Sequence, residues 1–178
     1  SSVRLNLFGA GGQANDMLCR DEDGALREMW KVQVMLSKVA LAGVPWDENS
    51  SFLRGASEAP PLIRAALFSQ ASGLRSEGGL EFTPDRFFDA GDVPVRSGGK
   101  MLEEIESFVA ALLDQDLPPI FLGGDHAVTY PILKAFRRKY RELTILQFDA
   151  HTDLYDIFEG NRYSHACPFA RIMEEGLA

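Results

Sequence analysis

Two short strings hold residues whose types and spacing could do chemistry: Gly123-Gly124-Asp125-His126 and Asp149-Ala150-His151-Thr152-Asp153. In an extended backbone successive side chains alternate between faces, so Asp149, His151 and Asp153 would point to one side. Imidazole and carboxylate groups without a clustered thiolate suit manganese, zinc, iron or nickel, and the carboxylate share favours manganese. The strings therefore predict a metal site, with His126 as a further ligand.

If Asp149 bridged two ions, the pair would hold a water and lower its pKa enough to supply hydroxide near neutral pH. That is the chemistry of hydrolysis. The same residue types also occur in purely structural roles: an Asp after a strand often caps a helix or forms a turn. We expect Asp125 to be structural, since it could orient His126 or cap the helix that follows. A phosphate loop at Gly123-Gly124 is set aside, because no Gly-Lys-Ser/Thr follows.

The elements that must position these strings alternate between strand and helix. Short apolar strands are predicted at 38–44, 86–90, 119–122 and 144–148. Helices are predicted from Pro60 onward, over about 101–113, and from 129–131 to about 140. This order indicates a parallel sheet covered on both faces. Both strings then follow strand carboxyl ends, where open α/β sheets place their ligands.

The first part of the chain is less informative. Residues 1–24 are rich in Gly, Asn and Asp without a clear period, and we assign them no structure. The apolar spacing over 25–36 could support a helix.

Composition narrows the class of protein. The chain has 178 residues, 46% of them hydrophobic, enough for one domain with a real core. A net charge of -8 argues against nucleic-acid binding. The sequence holds neither a bilayer-spanning apolar run nor a signal-like start, and only two cysteines, so we expect a cytoplasmic protein without membrane contact. Cys167, near the histidines, is expected to be a buried free thiol.

The two strings, together with Glu159-Gly-Asn-Arg-Tyr-Ser-His165, resemble the ureohydrolases, the arginase and agmatinase family. Segments at 43–45, 49–52, 59–60 with 63–64, and 91–94 extend the resemblance, and the predicted loop 156–175 looks most like plant-type arginases and bacterial agmatinase-like relatives. The resemblance implies an arginase-like fold, a three-layer α/β/α sandwich with a mainly parallel sheet. Residues 38–178 would be the N-terminal part of that single domain, and residues 1–37 a lead segment of uncertain structure.

The resemblance also implies a dinuclear manganese site, with two Mn2+ ions, that hydrolyses a guanidino C–N bond. Carried over position by position, His126, Asp149 and Asp153 would bind one ion, while His151 and the bridging Asp149 would bind the other. His165 matches the histidine thought to shuttle protons in the family, where the departing amine must be protonated.

Asn161 and Ser164 are candidate substrate contacts. The implied substrate is a small cationic guanidino compound, agmatine or arginine, in arginine or polyamine metabolism. Two alternatives stay open: another amidine hydrolase of the family, for formiminoglutamate or guanidinobutyrate, or an inactive truncated metal-binding chain. The family supplies two further aspartates and a glutamate from later segments, so we expect this chain to be an N-terminal portion of a homo-oligomeric protein.

Overall fold

The computed structural model describes residues 18–20, 26–28, 38–96 and 100–178. Its strands are β1 (Leu18–Arg20), β2 (Leu26–Glu28), β3 (Val39–Gly43), β4 (Phe87–Asp92) and β5 (Pro119–Leu122). Its α-helices are α1 (Ala59–Leu67), α2 (Met101–Asp114), α3 (Thr129–Lys139) and α4 (Pro168–Glu174). Short 3-10 turns, Ala56–Glu58 and His126–Val128, lead directly into α1 and α3. None of the helices described is long and apolar enough to cross a membrane.

A parallel sheet with strand order β4-β3-β5 forms the centre of the fold. The middle strand β3 reads Val-Ala-Leu-Ala-Gly and is buried over four of its five residues. Such a continuous run of small and branched apolar residues is typical of a parallel strand covered on both faces. In register, Leu41 lies opposite Asp89 of β4 and Ile120 of β5. The predicted strands at 38–44, 86–90 and 119–122 are thus confirmed.

Helices cover both faces of this sheet. On one face Ala40 and Ala42 pack against Leu112 of α2. On the other face Gly43 meets the first turn of α1, where an added Cβ would lie 2.8 Å from the Cβ of Pro60. Only a glycine allows that approach. The predicted α/β class, a parallel sheet with helices on both sides, is confirmed.

The main apolar core lies where α2 and α3 pack together beside β3. The apolar stripe of α2 recurs at helical spacing, and Met101, Ile105, Val109 and Leu113 are all buried there. Burying a branched side chain such as Ile105 contributes roughly 1.5–3 kcal/mol. The predicted helix over 101–113 is therefore confirmed, and it anchors the sheet edge from which the loop after β5 leaves.

The predicted strand at 144–148 is wrong. The segment does alternate in burial, with Ile145 partly covered and Phe148 91% exposed. Within the described residues, however, its backbone makes no ladder hydrogen bonds. A cavity of about 370 Å³, lined by Phe121 of β5 and by residues 145–149, separates the two segments. A strand requires a neighbour at hydrogen-bonding distance, and this segment has none there.

Two further expectations need correction. A helix is predicted over 25–36, but residues 26–28 form β2, which pairs antiparallel with β1. The remaining residues of that predicted helix lie outside the described part of the chain. Short apolar spacing cannot by itself distinguish a helix from a strand. Toward the other end, the stretch 156–175, treated above as a loop, contains the seven-residue helix α4.

Candidate metal centre

His126, Asp149 and Asp153 come together at one edge of the sheet. One ligand atom from each lies within 4.8 Å of the other two. His126 Nδ1 is 3.7 Å from Asp149 Oδ2 and hydrogen-bonded to Asp153 Oδ2. Ligands at right angles around an ion with bonds of roughly 2.1 Å lie about 3 Å apart. The three side chains are partly exposed, so this donor set fits one divalent cation entering from solvent.

The loop after β5 places His126. Asp125 caps the 3-10 turn that His126 begins, since its carboxylate accepts the N–H of Ala127 at 2.9 Å. The Asp125 N–H donates to the Trp46 carbonyl at 2.7 Å, which ties this loop to the one after β3. Gly124 permits the approach, because an added Cβ would overlap the Trp46 backbone. The expected capping role of Asp125 is confirmed, and burial raises the pKa of its carboxyl group.

The second string does not run extended. Asp149 Oδ1 accepts the N–H of His151 at 2.9 Å, a turn typical of Asp, and this bond lowers the pKa of Asp149. The backbone turns again at Asp153, whose φ of 48° lies in the left-handed region. Alternation is therefore broken, and His151 is not part of the group: its side chain is 83% exposed, and its Nδ1 lies 3.9 Å from Asp149 Oδ1. Its role as a ligand stays a prediction.

Helix α4 supports two of the three ligands. The ring of Phe169 packs edge-on against the imidazole of His126, with 5.7 Å between ring centres. The Phe169 N–H donates to the carbonyl of Asp153 at 3.2 Å. Pro168 in the first turn is a sequence signal for a helix start that could have revealed α4.

His165 faces the same space as the ligand group. A cavity of about 670 Å³ is lined by His126, Asp149, Ala150, His151, Thr152, Asp153, Tyr155, Phe158, His165 and Ala166. His165 Nδ1 donates to the carbonyl of Asn49 at 2.9 Å, because a carbonyl can only accept. That tautomer leaves Nε2 as the basic nitrogen, 3.5 Å from Ser51 Oγ. The arrangement suits a group that takes up and releases a proton.

Asn161 and Ser164 are not among the residues that line this cavity. The amide of Asn161 is used within the loops, since it accepts the N–H of Tyr163 at 2.8 Å and donates to Asn49 at 3.3 Å. Ser164 is buried, and its Oγ lies 3.3 Å from His165 Nδ1. Both hold the loop in this structure, and their role as substrate contacts stays a prediction.

One residue that the sequence did not suggest organises this loop. Arg171 is 3% exposed, and its Nη1 donates to the carbonyls of Asp156 at 2.8 Å and Arg162 at 3.1 Å. Its Nη2 donates to the Asp156 carboxylate at 2.6 Å and to Glu174 at 2.9 Å. Nothing in the spacing distinguishes this arginine from one on an exposed helix face. Nearby Cys167 is buried and free, as expected, and burial raises the pKa of its thiol.

Comparison with known proteins gives a consistent picture. Residues 37–178 match the profile described as the arginase family. Arginase 1, mitochondrial, of Arabidopsis thaliana is 41% identical over 152 residues, covering 80% of this chain and 44% of that protein. Agmatinase of Bacillus cereus is 38% identical over 143 residues, covering 78% and 48%. The chain thus spans about half the length of the curated relatives it matches.

Solved structures of arginase and formimidoylglutamase resemble this chain in fold. Arginase from Medicago truncatula superposes with a TM-score of 0.75 at 40% identity, over 80% of this chain and 48% of that one. Formimidoylglutamase from Bacillus subtilis superposes with a TM-score of 0.71 at 32% identity, over 83% of this chain and 46% of that one. The predicted arginase-like fold is therefore confirmed for the part of it that this chain spans.

Proposed function

Because this chain belongs to the arginase family, we propose that it carries part of the active site of a hydrolase that releases urea from agmatine or arginine. The observation that supports this most is the convergence, within 4.8 Å, of His126 with Asp149 and Asp153 from a separate segment of the chain. The cavity that holds them also holds His165, so metal ligands and a proton-transfer group face one space. Hydrolysis of a C–N bond needs both.

We assign manganese to this site, with His126, Asp149 and Asp153 as its ligands. A donor set of one imidazole and two carboxylates, without a thiolate, suits Mn2+. Thiolate-rich donor sets are instead typical of zinc. Bound manganese would lower the pKa of a coordinated water toward neutrality. His151 would serve a second ion together with Asp149, whose Oδ1 lies 3.9 Å from His151 Nδ1. His151 also lines the cavity that contains the three proposed ligands.

His165 is the proposed proton carrier. The Asn49 carbonyl keeps a proton on Nδ1, and the same contact stabilises the ring when Nε2 is protonated. Nε2 can therefore take a proton and give it to the departing amine, which is too poor a leaving group without one. The ring of Phe158 packs edge-on against His165 at 5.8 Å and limits its motion.

The residues that line the cavity are suited to binding a guanidinium substrate. The aromatic rings of Tyr155 and Phe158 line the cavity together with the proposed metal ligands. A planar guanidinium cation can stack on such rings. Asn161 and Ser164 remain proposed contacts to the substrate. Hydrolysis of another amidine is the second candidate, because formimidoylglutamase of Bacillus subtilis shares 32% identity and the fold.

We further propose that residues 38–178 are part of one ureohydrolase domain, with residues 1–37 as a lead segment. We also propose a cytoplasmic homo-oligomer, although the Arabidopsis thaliana relative is named as mitochondrial. Size-exclusion chromatography and cell fractionation of the expressed protein test these two points.

The test of the activity is urea release. The complete protein that contains this chain is loaded with Mn2+ and given arginine, agmatine or formiminoglutamate, and both urea and formamide are measured. We expect urea from arginine or agmatine. His126→Ala and Asp149→Ala should lower both manganese content and turnover, with Asp149→Ala worse because a bridging ligand serves both ions. Asp114→Ala, an exposed carboxylate at the end of α2, is the matched control.

Three outcomes decide between the candidates. Full activity after exhaustive chelation would contradict the metal mechanism. Formamide without urea would favour the other amidine hydrolase. Manganese binding without hydrolysis of any amidine would favour a non-catalytic metal-binding chain.

A further inference from the structure

Asp125 lies where two loops of the site meet, and it is 8% exposed. Its Oδ1 accepts the N–H of Ala127 at 2.9 Å, in the turn that begins with His126. Its Oδ2 accepts the N–H of Asn49 at 3.0 Å and the hydroxyl of Ser50 at 3.4 Å. One carboxylate thus uses each oxygen on a different segment, and the two segments are far apart in sequence.

The backbone of Asn49 continues this connection to His165. Its carbonyl accepts both the Nδ1–H of His165 at 2.9 Å and the backbone N–H of His165 at 3.3 Å. The direction of that carbonyl depends on how the 49–50 segment is held. Asp125 holds it on both sides, through the Asn49 N–H and the Ser50 hydroxyl.

We propose that Asp125 is a positioning residue that keeps His126 and His165 in a fixed relation across the cavity. The inference rests on the metal-binding and proton-transfer roles proposed above for these two histidines. A helix cap alone would need only the Oδ1 bond. The Oδ2 bonds contribute nothing to the cap, and they reach the segment that orients His165.

Asp125→Asn tests the proposal with little change in shape. An amide has one acceptor oxygen, so its NH2 group would face either the N–H of Ala127 or that of Asn49. One of the two connections must break. Groups that orient metal ligands in this way typically change metal affinity by roughly 10–100-fold when they are removed.

Asp47→Asn is the matched control. Asp47 is also 8% exposed, and it also accepts two backbone N–H groups and one hydroxyl. Its donors are the N–H of Gly55 at 2.6 Å, and the N–H and hydroxyl of Ser57 at 3.2 and 2.9 Å. The bonds of the Asp47 carboxylate do not reach the segments that hold the two histidines, and the bond from the Ser50 N–H to the Asp47 main-chain carbonyl does not involve the substituted group. This variant therefore reports the general cost of disturbing a buried carboxylate.

The readouts are nitrogen NMR of the imidazole rings in the metal-free chain and titration with Mn2+. The sequence has three histidines, so each ring signal can be assigned by substitution. We expect His165 to carry its proton on Nδ1 in the wild type and after Asp47→Asn, and to become a mixture of tautomers after Asp125→Asn. Manganese affinity should fall by about tenfold or more in Asp125→Asn and stay close to wild type in Asp47→Asn.

Wild-type ring signals of His165 in Asp125→Asn, with the free energy of unfolding lowered as in Asp47→Asn, would overturn the proposal and leave Asp125 as a cap. If Asp125→Asn does not fold, Ser50→Ala removes only the hydroxyl on Oδ2 and keeps the cap. Shifted His165 signals in that variant support the proposal, and unchanged signals overturn it. These readouts need no turnover, so a failure of the urea assay leaves them interpretable.

Discussion

Replacing Arg171 with Met should destabilise the loop that leads to His165. The guanidinium is 3% exposed and donates to two carbonyls and two carboxylates. Each carbonyl bond contributes about 1 kcal/mol net. The carboxylates of Asp156 and Glu174 are largely open to solvent, so each of those bonds is worth only about 0.5 kcal/mol after screening. Met keeps the apolar packing of the arginine stem.

The expected loss in free energy of unfolding is therefore about 2–3 kcal/mol. Urea titration followed by circular dichroism measures it. Arg162→Gln is the matched control, because Arg162 is 46% exposed and pairs with the same two carboxylates from the solvent side. We expect that control to lose less than about 1 kcal/mol. Arg171→Lys should recover only part of the loss, because an ammonium cannot reproduce the planar fork.

Hydrogen exchange locates the effect. The N–H of Tyr155 bonds to the carbonyl of Ala166, and the N–H of Asn161 bonds to that of Phe158. Both amides should exchange faster in Arg171→Met than in Arg162→Gln, since the bonds from Arg171 to the carbonyls of Asp156 and Arg162 are then lost. If Arg171→Met loses no more stability than Arg162→Gln, the buried bonds do not stabilise the loop and the reasoning is refuted.

Two further predictions concern the loops around the cavity. His165→Asn should lower kcat by roughly 10²–10⁴-fold while manganese content stays normal, because His165 lies outside the ligand group; loss of the metal would assign it as a ligand. Asp47→Asn should lower the free energy of unfolding by about 2 kcal/mol at pH 7. The bond from the Gly55 N–H lowers the pKa of Asp47, so this contribution is present above the ordinary carboxyl pKa and disappears as pH falls through the lowered folded-state pKa. Urea titrations at neutral and acid pH should show the gap between wild type and variant closing, and a constant gap would contradict the assignment.

The architecture was predictable from the sequence because burial leaves a local pattern. The apolar run of β3 and the stripe of α2 are readable without knowing what packs against them. The predicted meeting of His126 with Asp149 is also observed, although residues 144–148 do not form the strand on which that expectation was based.

The failures share a physical cause, which is competition from hydrogen bonds that the apolar pattern does not show. The alternation that would put Asp149, His151 and Asp153 on one side assumed an extended chain. The Asp149 side chain instead accepts the His151 N–H, and Asp153 adopts a left-handed conformation. At 144–148 the alternation was present, but pairing depends on a neighbouring strand that no local pattern specifies.

The buried polar residues carry the information that the apolar pattern lacks. Among the described residues these are Asp47, Glu106, Asp125, Ser164 and Arg171, and the last three hold the segments that carry His126 and His165. A buried polar group must find its partners, so each one fixes the backbone of the segment that supplies them. The geometry of His126 and His165 therefore depends more on Asp125, Ser164 and Arg171, the polar frame of the site, than on the apolar core. A substitution within the frame should disturb the site before it unfolds the sheet, whereas one in α2 should lower stability and leave the relation of the two histidines intact.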